Sequence, residues 1–174
     1  IEQAYRRSYS YYNDDEYAQL LVGDYQHELA RLNLQHHELF YAHPEFDLEN
    51  KMCYTDISMF MTGLNLAYSD RASMAASVEV RVPFIDREVV KYAMSISGRL
   101  KYKNGKSKYI LKRVAERYLP EEIIYRPKAS FGAPIRSWIS NDLKEMVDDL
   151  LSENKIRDRG IFQYKFVKRL IDND

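Results

Sequence analysis

Cysteine is nearly absent: Cys53 is the only one in 174 residues. An internal disulfide is therefore excluded, and a lone thiol fits a reducing, cytoplasmic compartment. Long apolar runs are missing too. No stretch approaches the roughly 20 residues needed to span a bilayer, and residues 1–12 show no secretory pattern, so a soluble chain with no membrane partner is expected. Charge of one sign is not in excess, since Lys+Arg and Asp+Glu both total 26. That balance offers no long-range attraction to nucleic acid or to an anionic membrane. The six glycines are scattered at turns, and no Gly-rich loop cradles a phosphate. An initiating Met is lacking as well, which predicts a fragment or a processed chain beginning at Ile1.

What remains reads as helix. A chain of this length can bury ~70% of its unfolded surface as one domain. Residues 1–15 are dense in Tyr and charge without a period, and are expected to be irregular. Across 16–41, Tyr17, Leu20, Leu21, Tyr25, Leu29 and Leu32 recur at three- and four-residue steps, as on amphipathic helices. The 50–66 stretch is apolar on more than one side and predicts a central buried helix, with Asp56 as a cap and Thr62-Gly63 as a loosening point. Asp86 starts a helix that Gly98 stops, and 101–106 turns at Asn104-Gly105. Further helices are expected at 107–118, at 135–139, at 143–151 behind a cap by Asn141 or Asp142, and at 161–171 after Gly160. No strand and no repeat is evident. The fold class is all-α, an orthogonal bundle of roughly six to eight helices, with 1–15 as an irregular lead and 16–174 as the helical domain.

The densest information lies in 70–86, Asp-Arg-Ala-Ser-Met-Ala-Ala-Ser-Val-Glu-Val-Arg-Val-Pro-Phe-Ile-Asp. Asp70 and Asp86 can each cap a helix. Between them Ala72, Ser73, Ala75, Ala76 and Ser77 are small enough to admit a neighbouring backbone or a ligand. If Val78, Val80 and Val82 are core, Glu79 and Arg81 sit near that core and should form an internal ion pair that fixes the bend at Pro83.

This run resembles the signature of the C-terminal synthetase domain of glutamine-hydrolysing asparagine synthetases and their β-lactam-synthetase relatives. The resemblance extends to Gly105-Lys106-Ser107-Lys108-Tyr109-Ile110-Leu111-Lys112, to Tyr118-Leu119-Pro120-Glu121-Glu122-Ile123, and to Arg126-Pro127-Lys128-Ala129-Ser130-Phe131-Gly132-Ala133-Pro134, in the family's order and spacing. It implies the helical C-terminal part of an α/β ATP-pyrophosphatase-type domain whose sheet is missing, because the family's Ser-Gly-Gly-x-Asp-Ser loop and its N-terminal glutaminase cysteine do not occur here. It further implies a ligase that adenylates the aspartate side-chain carboxylate with ATP and Mg2+ and transfers ammonia from glutamine. The partners would be the missing nucleotide-binding and glutaminase portions. Alone, the piece should be inactive, bind no cofactor, and self-associate through exposed apolar surface.

Lys128 is the first candidate catalytic residue. A lysine in a loop is ordinarily a solvated charge, but Pro127 and Phe131-Gly132 confine this one, and the resemblance implies that it stabilises negative charge on the adenylated intermediate. Lys108 is a candidate substrate ligand: a cation in a first helical turn opposes the dipole and calls for an anion, either Glu79 or Asp86 or a substrate carboxylate or phosphate. Asn65 and Asp70 complete the substrate-binding set. Asn65 stands where some relatives place an acid, and a neutral amide cannot act as a base. No metal site is expected: His27, His36, His37 and His43 lack a completing Cys or acidic spacing. The rival reading is a non-catalytic interaction or nucleic-acid module using the basic 99–113 face, with Tyr102 and Tyr109 among its lysines.

Overall fold

Asn13 caps the second helix of the chain, its side-chain oxygen accepting the Glu16 N–H at 2.9 Å while the Glu16 carboxylate takes the Asn13 N–H at 2.8 Å. The computed structural model describes residues 1–127 and 134–172. Helices α1 (Glu2–Arg7), α2 (Asp14–Leu20) and α3 (Gly23–Tyr41) come first, followed by α4 (Leu48–Thr55), a π-helical segment (Asp56–Asn65) and α5 (Leu66–Ala75). A 3-10 turn (Pro83–Ile85) leads into α6 (Arg87–Ser95) and α7 (Gly98–Lys101). A hairpin of β1 (Tyr102–Lys103) and β2 (Lys106–Ser107) precedes α8 (Tyr109–Ala115) and α9 (Glu121–Ile124). The chain continues through α10 (Ile135–Ser140), α11 (Lys144–Leu150), α12 (Glu153–Arg159) and α13 (Tyr164–Asp172). The class is all-α as expected, with more and shorter helices than the periodicity suggests. No helix among the described residues is long and apolar enough to cross a membrane.

Contacts divide the chain into two compact units. The first holds Gln3–Leu34 and the described stretch from residue 134 onward. Leu20, Ile156, Phe166 and Val167 form its buried core, with Tyr12, Tyr17, Leu151, Tyr164 and Leu170 packed around them. Tyr12 meets Phe166 edge-on, ring centroids 6.0 Å apart. Two backbone bonds, Val22 N–H to Ile161 at 2.9 Å and Gln163 N–H to Leu20 at 2.7 Å, tie the chain after α2 to the chain before α13. Phe162 therefore lies in this extended pairing and not on the last helix. Gly160 ends α12 at φ +64, where a side chain would be strained.

The second unit holds Glu2 and Gln35–Pro127. Asp47 caps α4 through the Asn50 N–H at 3.0 Å, and Asp86 caps α6 through the Glu88 N–H at 2.9 Å. The turn between β1 and β2 has both central residues at positive φ, Asn104 at 50 and Gly105 at 75, which suits the right-handed twist of a tight hairpin.

Several expectations are overturned. Residues 2–7 form α1 in a stretch expected to be irregular, and Tyr5 is buried. No strand was expected, yet Tyr102 pairs with Ser107 and Lys103 with Lys106. The 50–66 stretch is not one buried helix: Asn50 and Thr55 are buried in α4, but from Asp56 it runs on as a π-helix with no buried residue, and Phe60 and Leu64 face solvent. The Thr62 hydroxyl donates back to the Ser58 carbonyl at 2.8 Å and Gly63 adds no side chain, so the turn widens there. Asp56 is the C-cap residue of α4 and not an N-cap that starts a new helix, because helical structure continues through it. Neither Asn141 nor Asp142 caps α11; Leu143 occupies that position, and the Asn141 amide donates to the Ser137 carbonyl at the end of α10 instead.

Candidate functional site

The signature begins inside α5. Asp70 sits mid-helix and does not cap it; its carbonyl accepts the Ser73 hydroxyl at 3.0 Å, and its carboxylate has no hydrogen bond or ion pair among the described residues. The helix then closes in a Schellman motif, with Ser77 N–H to Met74 and Val78 N–H to Ser73, both 2.9 Å. Ser77 takes the left-handed position usually given to glycine, φ 56. A non-glycine residue there costs about 1–2 kcal/mol.

Beyond it the chain is extended and wet. Val78, Val80, Val82 and Phe84 are 54%, 48%, 45% and 72% exposed. The valines are not core within this chain, so the nearby charges are not internal. Glu79 and Arg81 meet at 2.6 Å, but in solvent, where such a pair contributes about 0–1 kcal/mol.

Asn65, the last residue of the π-helical segment, is half-buried, and its amide approaches the Met61 sulfur at 3.6 Å. Lys108 does not lie within a first helical turn. It is the N-cap residue of α8 and is itself left-handed, φ 56 and ψ 33, with its carbonyl accepting the Lys112 N–H at 2.9 Å. A long side chain in that conformation is strained, and such strain gathers at functional positions. Its ammonium bonds neither Glu79 nor Asp86 nor any other group among the described residues. Lys128 lies outside the described residues, as do residues 129–133.

Lys108 borders a groove of about 620 Å³ within the second unit. Its walls are largely apolar, from Leu48, Met52, Ile96, Ile110 and Leu111, and Cys53 and Lys101 also line it. Burial pushes the Cys53 thiol up, which disfavours its thiolate. Lys101 belongs to a polar cluster that the sequence did not single out. Its ammonium bonds the Asn50 side-chain oxygen, and the Asn50 amide donates to the Ile96 carbonyl at 3.1 Å. Burial lowers the Lys101 pKa against the pull of Cys53 and Asp47. The Asp47 carboxylate takes the Gly98 N–H at 2.6 Å and the Ser97 hydroxyl at 3.2 Å. Burial alone would raise this carboxyl, but the bonds from Gly98, Asn50 and Ser97 hold it below its ordinary value. Gly98, expected as a helix stop, starts α7 and is small for another reason: a Cβ there would lie 2.5 Å from Asp47 Oδ1. The only signal for this cluster was Asp-x-x-Asn before an apolar run.

Of the two tyrosines on the basic 99–113 face, Tyr109 lies under a lysine and Tyr102 stays 52% exposed. Lys103 lies over Tyr109, 5.2 Å from the ring centre, and Lys106 and Lys112 lie over Tyr125 at 5.5 and 5.7 Å. The histidines are drawn to carboxylates: His36 and His37 approach Glu2 at 2.7 and 3.8 Å, and His43 approaches Glu45 at 3.0 Å. Among the described residues no group of three or more His, Cys, Asp or Glu could hold a metal ion.

The asparagine synthase family model matches residues 3–174, nearly the whole chain. The chain belongs to the asparagine synthase family. It is 42% identical over 106 residues to glutamine-hydrolysing asparagine synthetase 1 of Bacillus subtilis, covering 61% of this chain and 17% of that protein. Asparagine synthetase 3 of the same organism is 34% identical over 127 residues, 67% of this chain and 20% of the relative. The Gallus gallus asparagine synthetase is 39% identical over 95 residues, 49% of this chain and 17% of the relative. The chain thus spans about a fifth or less of the curated relatives it matches. No solved structure matches it.

Proposed function

We propose that the chain is the helical part of an asparagine-synthetase-like ligase. In the whole protein, an aspartate side-chain oxygen attacks the α-phosphorus of ATP and pyrophosphate leaves. Ammonia released from glutamine then attacks the activated carbonyl carbon and AMP leaves, giving asparagine. The family match over residues 3–174 carries this reading. Lys128 stabilises the negative charge that builds around the adenylated carboxylate. Lys108 supplies a second cation for a carboxylate or phosphate of the substrates, and its strained backbone with an ammonium free among the described residues supports that role. Asn65 and Asp70 stand on the substrate side, Asn65 as a hydrogen-bonding amide that cannot take a proton.

Among the described residues no group of three or more His, Cys, Asp or Glu converges on one point. Nucleotide and metal binding fall to the partner portions of the protein. The exposed face formed by Val78, Val80, Val82, Phe84 and Val89 packs against those portions, and in their absence it drives self-association, leaving the chain alone inactive. In the full-length protein, Lys128→Ala should abolish pyrophosphate release while the far-UV spectrum and melting temperature stay unchanged. Turnover that survived the substitution would remove Lys128 from the mechanism.

A further inference from the structure

Lys101 and Lys108 border the same groove but meet it differently. The Lys101 ammonium is taken up by the Asn50 side-chain oxygen, whereas Lys108 has no polar partner among the described residues. Asn50 is buried and at the same time donates to the Ile96 carbonyl at 3.1 Å, so a single amide grips both ends of the 96–101 segment. Asp47 holds the middle of that segment through Gly98 N–H and Ser97 Oγ. Past Lys101 only a hairpin of two-residue strands separates this anchored stretch from Lys108. Such a hairpin does not hold its own place in water. A left-handed lysine persists only where its surroundings over-determine it, and the anchoring on the N-terminal side of the hairpin comes from α4.

We propose that Asp47, Asn50 and Lys101 are positioning residues that hold Lys108 at the rim of the groove, where it meets an anionic group of the substrate; this rests on the role given to Lys108 above. Lys101 itself touches no substrate, because its charge is committed inside the unit. Lys101 is half-buried, and that burial lowers its pKa.

A double-mutant cycle in the full-length protein tests this, with pyrophosphate release as the signal and KM for aspartate and for ATP read separately from kcat. Lys101→Met and Lys108→Ala should each raise the same one of the two KM values about tenfold, with kcat within about twofold of wild type. The double variant should be no worse than Lys108→Ala alone. Additive losses, or a Lys101→Met effect confined to kcat or to the melting temperature, overturn the positioning role and leave that of Lys108 standing. Unchanged kinetics in Lys108→Ala overturn the role of Lys108 and the positioning role with it. Should Lys101→Met fail to fold, Asn50→Ser removes the acceptor, keeps the ammonium, and enters the same cycle with the same expectations.

Discussion

The two units answer their apolar residues in opposite ways. In the first, Leu20, Ile156, Phe166 and Val167 from three helices bury one another, and Arg169 lies over the Phe166 ring at 4.4 Å. In the second, Phe40 is the only buried apolar side chain among the described residues, while the valines and phenylalanine of the signature stand in water. Both carry good local structure: a capping box on α2, single-residue caps on α4 and α6, and a Schellman close on α5. Local propensity and capping therefore build helices in both units, but only the first also supplies its own core. The second is organised by polar groups, Asp47, Asn50 and Lys101, and offers an apolar face whose complement lies elsewhere in the proposed protein. Burying one such large side chain contributes about 1.5–3 kcal/mol, which under the proposed docking the second unit gains only in the whole protein.

Matched truncations sharpen this contrast most. Ile156, 2% exposed, should lose about 2–5 kcal/mol on Ile156→Ala in a denaturant titration of this chain. Phe84→Ala should stay within about 0.5 kcal/mol in the same chain, yet cost about 3–5 kcal/mol in the full-length protein. Equal effects of Phe84→Ala in both settings would break the comparison. A smaller change is expected at the polar cluster. Gly98→Ala drives a methyl group into Asp47 and the Glu49 Cβ, so thermal unfolding should report a loss of about 1–3 kcal/mol. The smallest effect is one of pH. Because hydrogen bonds hold the folded Asp47 carboxyl below its ordinary value, its stabilising contribution is complete above the ordinary carboxylate range. It is lost as pH falls through the lowered folded-state value. Asp47→Asn should flatten that acid limb of the stability profile; an unchanged limb would place the sensitivity elsewhere.

The all-α class and the Asp86 cap were legible in the sequence because caps and periodicity are local signals. The hairpin was not, since two-residue strands carry no alternation; only Asn104-Gly105 marked it. Tyr5 was missed because residues 1–15 carry no period from which a buried face could be read. The π-helical run escaped because its apolar residues read as core in a pattern that cannot say what buries them. The same blind spot explains Glu79 and Arg81: their pairing follows from spacing, whereas their exposure depends on tertiary packing that a local pattern does not contain. Gly98 looked like a stop signal, when the close approach of Asp47 and Glu49 is what keeps it small. Lys108 was picked out for its charge, but its left-handed backbone became visible only with the hairpin in place.

The central claim is that the face around residues 78–90 is built to be covered by the rest of the protein. Hydrogen exchange of those amides, followed side by side in the full-length protein and in this chain alone, tests it most directly. Strong protection in the first and rapid exchange in the second is the predicted result. Equally rapid exchange in both would show that nothing docks there and would contradict the account.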